Sequence, residues 1–553
     1  MALDRMPPEI LHITLSYLSI ECRNLDTLEA SNEHFRYSPQ KPDQQSLSSL
    51  NLQHLYSLCL VSKRLYNAIQ PLLYREFTLG YGDSWKSEPY TWDGRLLSFL
   101  RTVARRRDLA GFVKRVHILP QLLQASQAAL DKEERDRQEK LEELERRTCP
   151  PGWKLARPPE VDISGLFHPD DLPKPQLKPC ITEDEARETL REVRAALKIN
   201  PSKKLAAKDL VTLLVAALSN LQQCSLVFGP ESDMSAVHPA TLAAAGITKL
   251  PLRALNISVL RSKDKPLDFD SYIRPLLTVS PSLEILNLHR CYAATPEGKP
   301  RTRQQAFPSI PNLQHIRITS SRLNEKSLEN ILSSCTGLRS FTYEAAYRHV
   351  DRPPTIVGEF MSFVDDGSRW DCSDHFQLRN AVGYLERHCE TLESVHIDLR
   401  RRGGEPAVLG TFSFREFVVL KNLVLNLDEF HSRFFKHNPG LEHQLLTRIL
   451  PPNIISFCLI GRIGKDVPRL EKGLIGLADA VGKGQFPALK VVKWDSKDRL
   501  DANTVDAVLR PMFVKAAVEF VYVPWLRDTG GDLPPNFENP AYALPDSDDF
   551  DDL

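Results

Sequence analysis

The sequence lacks an excess of either sign of charge: among its 553 residues, Lys plus Arg and Asp plus Glu each number 71. No net field steers such a chain toward nucleic acid or an anionic membrane, and a protein partner is expected instead. A long apolar run is missing too. The longest, VTLLVAAL at 211–218, falls far short of the roughly 20 residues that cross a bilayer. The N-terminus has no basic-then-apolar leader, and the ten cysteines follow no repeated close spacing. An intracellular protein of the cytoplasm or nucleus, with reduced thiols, is therefore expected. In that setting the sequon Asn256-Ile257-Ser258 carries no sugar. The basic run Arg105, Arg106 and Arg107 is too short to specify nuclear import.

Recognisable signatures of catalysis are absent as well. Cys372, His375, His388 and Cys389 offer four metal-capable side chains in WDCSDHFQLRNAVGYLERHC. Adjacent His388 and Cys389 would face opposite directions, which fits poorly with convergence on one tetrahedral ion. GLADAVGKG from Gly476 spaces its glycines wrongly for a phosphate loop and has Gly484 where Ser or Thr should bind magnesium, so a helix end punctuated by glycine explains it better. No nucleophile, base and orienting acid share a motif, although triads assemble in space rather than in sequence. The expectation is a non-enzyme without cofactor or metal; an enzyme hidden in the C-terminal region would need polar residues converging in a deep pocket.

What the sequence does contain begins at its start, MALDRMPPEILHITLSYL. Pro7 and Pro8 suit a helix N-terminus, and Glu9 lies well against the positive end of the helix dipole. Beyond them, Leu11, Leu15 and Leu18 form one stripe, and Ile10, Ile13 and Tyr17 a neighbouring one. A single small core covers only one stripe well, so the helix is expected to share its other side with a partner. A second amphipathic helix follows, with Leu58, Val61, Leu65 and Ile69 at helical spacing and Pro71 predicting a stop near Gln70.

Together, MPPEILHITLSYL and LCLVSKRLYNAIQPLLYREF resemble the F-box of fungal F-box proteins over roughly the first 79 residues. The markers are Pro7, Glu9, Ile10, Leu11, Ile13, Tyr17 and Leu18, then Leu58, Val61, Ser62, Leu65, Tyr66, Leu72 and Tyr74. That resemblance implies a small all-α module that docks on a Skp-type adaptor, and through it on a cullin scaffold. The adaptor-binding residues it implies are Pro7, Ile10, Leu11, Leu15, Leu18, Leu58, Val61 and Leu65. One departure from the family is a polar insertion at 19–50, which loops out at small entropic cost or weakens docking. The alternative is a pair of core helices from an unrelated helical domain.

The remainder repeats a pattern of apolar, two residues, apolar, one residue, apolar. It appears as VKRVHI from Val113, LQQCSL from Leu221, LRALNI from Leu252, LEILNL from Leu283, LQHIRI from Leu313 and LRSFTY from Leu338. LESVHI from Leu392, LKNLVL from Leu420, IISFCL from Ile454, LKVVKW from Leu489 and VEFVYV from Val518 complete it. Starts are about 25 to 35 residues apart, except for gaps of 108 before Leu221 and 54 before Leu392. Each unit reads as a short strand, with helical material such as KKLAAKDLVTLLVAALSN between units. Strand then helix, repeated, resembles the leucine-rich-repeat layout, in which stacked copies share one core. Cys291 completes the cysteine-type spacing of one unit, whereas Ser321, Asp428 and Arg462 stand at the equivalent place in others, so an irregular solenoid with a patchy side-chain ladder is predicted.

Two segments read as insertions and one as a tail. DKEERDRQEKLEELERR from Asp131 pairs opposite charges at i, i+4 as a solvated helix, and the Pro-rich stretch from Cys149 to Cys180 reads as an extended linker, with presentation of a docking motif as the alternative. The chain closes on acidic DSDDFDDL. The domain reading is thus 1–79 F-box-like, 80–130 a first repeat-like unit and connection, 131–181 insertion, 182–530 repeats, and 531–553 tail. Overall the fold class is α/β: small all-α helices followed by an irregular leucine-rich-repeat-like solenoid. The implied role is the substrate receptor of a Skp-cullin-F-box ubiquitin ligase in ubiquitin-dependent degradation, gripping an unidentified protein client. The alternative is an interaction scaffold that uses the F-box without cullin. Strand alternation nominates His289, His315, Arg317, Glu344, His396, Asp398, Lys493 and Asp495 as client-facing residues of mixed charge.

Overall fold

Each repeated unit becomes a strand because its apolar residues alternate, and alternation buries one face of an extended chain. In a computed structural model, twelve strands form one sheet: β1 Glu76–Phe77, β2 Arg115–Ile118, β3 Gln223–Phe228, β4 Ala254–Val259, β5 Ile285–His289 and β6 His315–Ser321, followed by β7 Ser340–Ala345, β8 Ser394–Asp398, β9 Asn422–Asn426, β10 Ser456–Gly461, β11 Val491–Ser496 and β12 Glu519–Tyr522. The structure describes residues 6–16, 54–77, 95–118, 183–198, 210–228, 239–259, 273–289, 291, 308–321, 323, 325–345, 376, 378–399, 412–426, 440–461, 467–496 and 499–522. The insertion at 19–50, the 131–181 segment, Tyr17, Leu18, Cys372, His375 and the tail lie outside them.

All pairings are parallel, and strand order follows chain order without a crossover. Both long sequence gaps are excursions, since β2 pairs directly with β3 and β7 with β8. β1 extends the series into the region assigned above to the helical module. Its signal is Tyr74, Phe77 and Leu79, which repeat the spacing of the other units.

At ten of the eleven junctions one carbonyl accepts two successive amide N–H groups of the next strand's entry; at the last, Lys490 accepts from Glu519 alone. Gln222 accepts from Arg253 and Ala254, Arg253 from Glu284 and Ile285, and Glu393 from Lys421 and Asn422. A side-chain clamp recurs beside it. The Nδ2 groups of Asn220, Asn312 and Asn453 donate to the carbonyls of Gly111 (2.8 Å), Pro281 (3.1 Å) and Val418 (2.7 Å) on the preceding unit. In each case the asparagine precedes the first apolar residue of its unit, a regularity that the apolar pattern alone does not reveal. At the end of β6, Ser321, which the repeat spacing places among the breaks in the ladder, nevertheless makes a link: its Oγ accepts from the Cys291 N–H at 3.0 Å.

One sheet face is sealed into a continuous core with apolar side chains from the intervening helices. These include α3 Arg95–Arg105, α4 Glu183–Ala196, α5 Leu210–Ala217, α6 Glu325–Ser333, α7 Leu378–Leu385, α8 Val467–Gly482 and α9 Arg510–Lys515. Trp494, Tyr343, Phe341 and Phe457 are its largest buried strand residues. α5, the apolar run at 211–218, is buried on all sides, as expected of a helix with no polar stripe. GLADAVGKG falls at the end of α8. There Gly484 (φ +81°) donates to the Val481 carbonyl and Gln485 to that of Ala480, a Schellman closure, while a Cβ at Gly476 would collide with the His443 carbonyl.

The N-terminal helices, α1 Pro8–Ser16 and α2 Lys63–Leu73, enclose a second, separate core with the helical residues 54–59. Leu11, Leu15, Leu55, Cys59, Leu65, Ile69 and Leu72 form it. Ser62 caps α2 by accepting from the Leu65 N–H at 3.2 Å. The helix passes through Pro71 and ends at Leu73, which corrects the expected stop near Gln70. So late in a helix the proline removes one donor, and Tyr74 still donates to the Gln70 carbonyl at 3.1 Å.

Candidate functional site

Two surfaces stand out, and the first is on the small helical module. Of the eight large hydrophobic residues exposed among the described residues, six belong to it: Ile10, Ile13, Tyr56, Leu60, Val61 and Tyr66. Ile13 is 55%, Leu60 72% and Val61 67% exposed. The two stripes of α1 are therefore divided: Leu11 and Leu15 point into the module's own core, and Ile10 and Ile13 point out of it. Leu65 is likewise internal, Leu58 is half-buried against the core, and Pro7 is exposed. Of the eight residues implied for adaptor binding, Pro7, Ile10 and Val61 are thus accessible, Leu11, Leu15 and Leu65 are closed inside the chain, and Leu18 lies outside the described residues. Tyr56 and Leu60 join the accessible surface without having been singled out. Tyr56 lies in the helical stretch 54–59 and Leu60 in the turn that follows it, both before α2.

The second surface is the sheet face turned away from the large core. Its residues alternate with the buried ones, so β5 presents Asn287 and His289, β6 His315, Arg317 and Thr319, and β7 Ser340, Thr342 and Glu344. All eight client-facing candidates lie on this face, but their environments differ. A polar ladder crosses it: Asn287 Nδ2 donates to Asn256 Oδ1 at 2.6 Å, and Asn256 Nδ2 to Ser225 Oγ at 2.9 Å. Asn256, the sequon asparagine, is only 1% exposed. His289 Nδ1 lies 2.8 Å from Thr319 Oγ1.

Glu344 and Asp398 are each 5% exposed, so neither is a freely solvated strand position. The alternation correctly places them on this face, but burial depends on neighbours that a strand pattern does not specify. Glu344 Oε1 is 4.0 Å from His396 Nδ1, and Asp398 Oδ1 accepts from Asn426 Nδ2. Lys493 Nζ is 2.7 Å from Asp495 Oδ2. Burial disfavours the Lys493 charge, but the hydrogen bond and charge of Asp495 outweigh it and hold the pKa above the usual lysine value. His315 is shifted down, by burial first and then by the Arg339 charge, and so stands neutral at pH 7. Burial pushes the Cys458 thiol, in register with Lys493, up to about 12.

Among the described residues no group of three or more His, Cys, Asp or Glu side chains is placed to hold a metal ion. His388 lies in the core, 2% exposed, with Nε2 3.0 Å from the Leu332 carbonyl and 3.8 Å from Cys335 Sγ. The Cys335 thiol is raised to about 12 by burial, so it remains a protonated packing group rather than a nucleophile. Among the described residues, Cys59, Cys224, Cys291, Cys335, Cys389 and Cys458 are free thiols. No helix among the described residues is long and apolar enough to cross a membrane.

Compared with known proteins, the chain matches no family model, and no curated protein aligns with it significantly.

Proposed function

We propose that this chain is the substrate receptor of a Skp-cullin-F-box ubiquitin ligase, with the N-terminal helices as an F-box and the sheet region as a divergent leucine-rich-repeat solenoid that holds a protein client. The observation that carries the reading is the number of large apolar side chains left exposed on the small module, Ile10, Ile13, Leu60 and Val61 among them. An exposed patch concentrated on so small a unit is characteristic of a docking site. Each such aliphatic side chain, once covered by an adaptor, would contribute about 1.5–3 kcal/mol before association costs. Support for the solenoid comes from sequential parallel strand order and from the recurring carbonyl and asparagine junctions. Its polar sheet face, bearing both signs of charge, suits a protein client better than a phosphate backbone.

The test uses the exposed residues, because Leu11→Asp or Leu15→Asp would put a charge in the module's own core. Purified full-length chain carrying Ile13→Asp or Leu60→Asp should lose capture by an immobilised Skp-type adaptor while its circular dichroism stays unchanged. Wild-type capture by both variants would reject the assignment. Capture of adaptor without any cullin from cells would move the reading to a scaffold outside a ligase.

A further inference from the structure

Three fixed cations stand on the open sheet face among the described residues, and two are neutralised. Arg115 Nη1 lies 2.7 Å from Glu76 Oε1, and Lys493 Nζ 2.7 Å from Asp495 Oδ2. Arg317, half-buried near the middle of the sheet, has no hydrogen bond or ion pair among the described residues. The carboxylates around it are committed elsewhere. Glu284 is held by both Arg253 Nε and Nη2, at 2.9 and 2.7 Å, and Glu393 by Lys421 at 2.7 Å. Glu344 is buried beside His396.

The residues that do adjoin Arg317 are neutral and able to hydrogen-bond. Asn287 and Thr342 flank it in register on β5 and β7, roughly one strand spacing of about 4.8 Å away on either side. His315 and Thr319 precede and follow it on the same face of β6, and Ser340 stands beside His315. A partly desolvated guanidinium without a counter-charge is costly to maintain, and its planar fork of N–H donors matches the oxygens of a carboxylate or phosphate.

We infer that Arg317, with Thr342 and Asn287 beside it, is an oxyanion-binding site that receives an acidic or phosphorylated side chain of the client. The inference rests on the reading of this face as the client surface, and it adds the chemical class of group that the surface recognises. Neighbouring strands would fix the anion's position through hydroxyl and amide contacts, while Arg317 supplies the charge. The paired Arg115 and Lys493 would require an existing ion pair to open before they could serve the same purpose.

The test is calorimetric titration of the full chain with inorganic phosphate and, separately, with acetate, at constant ionic strength. Wild type should bind at least one of the two. Arg317→Gln should weaken that binding by roughly tenfold or more, Arg317→Lys by less, and Arg115→Gln not at all. Thr342→Val, which keeps the charge and the strand shape, should weaken it to a smaller extent and provides a second reading if Arg317→Gln alters the fold. Preference for phosphate assigns a phosphorylated client group, and equal or better binding of acetate a carboxylate. Failure of both anions to bind wild type, or wild-type affinity in Arg317→Gln, would overturn the site. Adaptor capture is measured on the same variants and should not change. Loss of adaptor capture by wild type would strike the ligase reading alone and leave the anion result standing.

Discussion

In the N-terminal helices, seven buried side chains form the core while six large apolar ones stay outside it; in the sheet region, a continuous core runs from Leu96 to Val518 and leaves only Val418 and Val514 exposed among the described residues. Size accounts for part of the difference, since a short chain has too much surface for its volume. Repetition accounts for the rest. Each inner strand of the sheet, β2 to β11, lies between a predecessor and a successor, whereas among the described residues α1 packs on α2 and residues 54–59.

That contrast can be broken or sharpened by experiment, and the largest effect is expected in the sheet core. Trp494→Ala removes its largest buried side chain and should cost about 3–5 kcal/mol, read as a lower urea midpoint for the whole sheet region. Loss of only the last strands would instead show that the repeats unfold piecemeal. Leu11→Ala in the small core should cost about 2–5 kcal/mol. Hydrogen exchange should then rise across 8–16 and 63–73 while β3 to β11 remain protected; loss of protection in both regions would mean that the two cores are one cooperative unit. Asn453→Ala deletes a junction clamp and should cost about 0.5–1.5 kcal/mol, detected as a small drop in melting temperature.

A pH effect is expected from the core as well. Burial holds the His388 pKa below the ordinary histidine value, so the folded state prefers the neutral ring. The resulting stabilisation is complete above a pH of about 6.5 and is lost as pH falls through the folded-state pKa. Melting temperature should therefore fall more steeply between neutral and mildly acidic pH in wild type than in His388→Gln; parallel curves would remove His388 from the account. The smallest effect belongs to the helical surface. Leu60→Ser should change stability by no more than about 0.5 kcal/mol, because the side chain is already in solvent. A large loss would mean that the surface is covered within the chain.

Much of the sheet was legible because alternation is a local property. All eleven repeated units became strands, and the described part of the helical stretch before Leu221 became α5, while its start and the charged segment from Asp131 lie outside the described residues. The first strand was missed because Tyr74 and Phe77 lie within the stretch that resembles an F-box, where helical spacing dominates. Pro71 does not stop its helix, since its position in the last turn costs only one hydrogen bond. On the sheet face, the period of two named the right side of each strand but not the degree of burial, and Glu344 and Asp398 are enclosed while Arg317 remains accessible.

By itself, the sequence determined which segments are extended and which are helical, because side-chain periodicity acts within a few residues. It also determined that α1 carries two apolar stripes. Tertiary structure alone decided that Leu11 and Leu15 turn inward and Ile13 outward, that β2 meets β3 across a gap of 108 residues, and that Arg115 finds a carboxylate whereas Arg317 does not. Those outcomes depend on which distant groups come within a few ångströms, and both pairing and burial energies are set by such neighbours rather than by position along the chain.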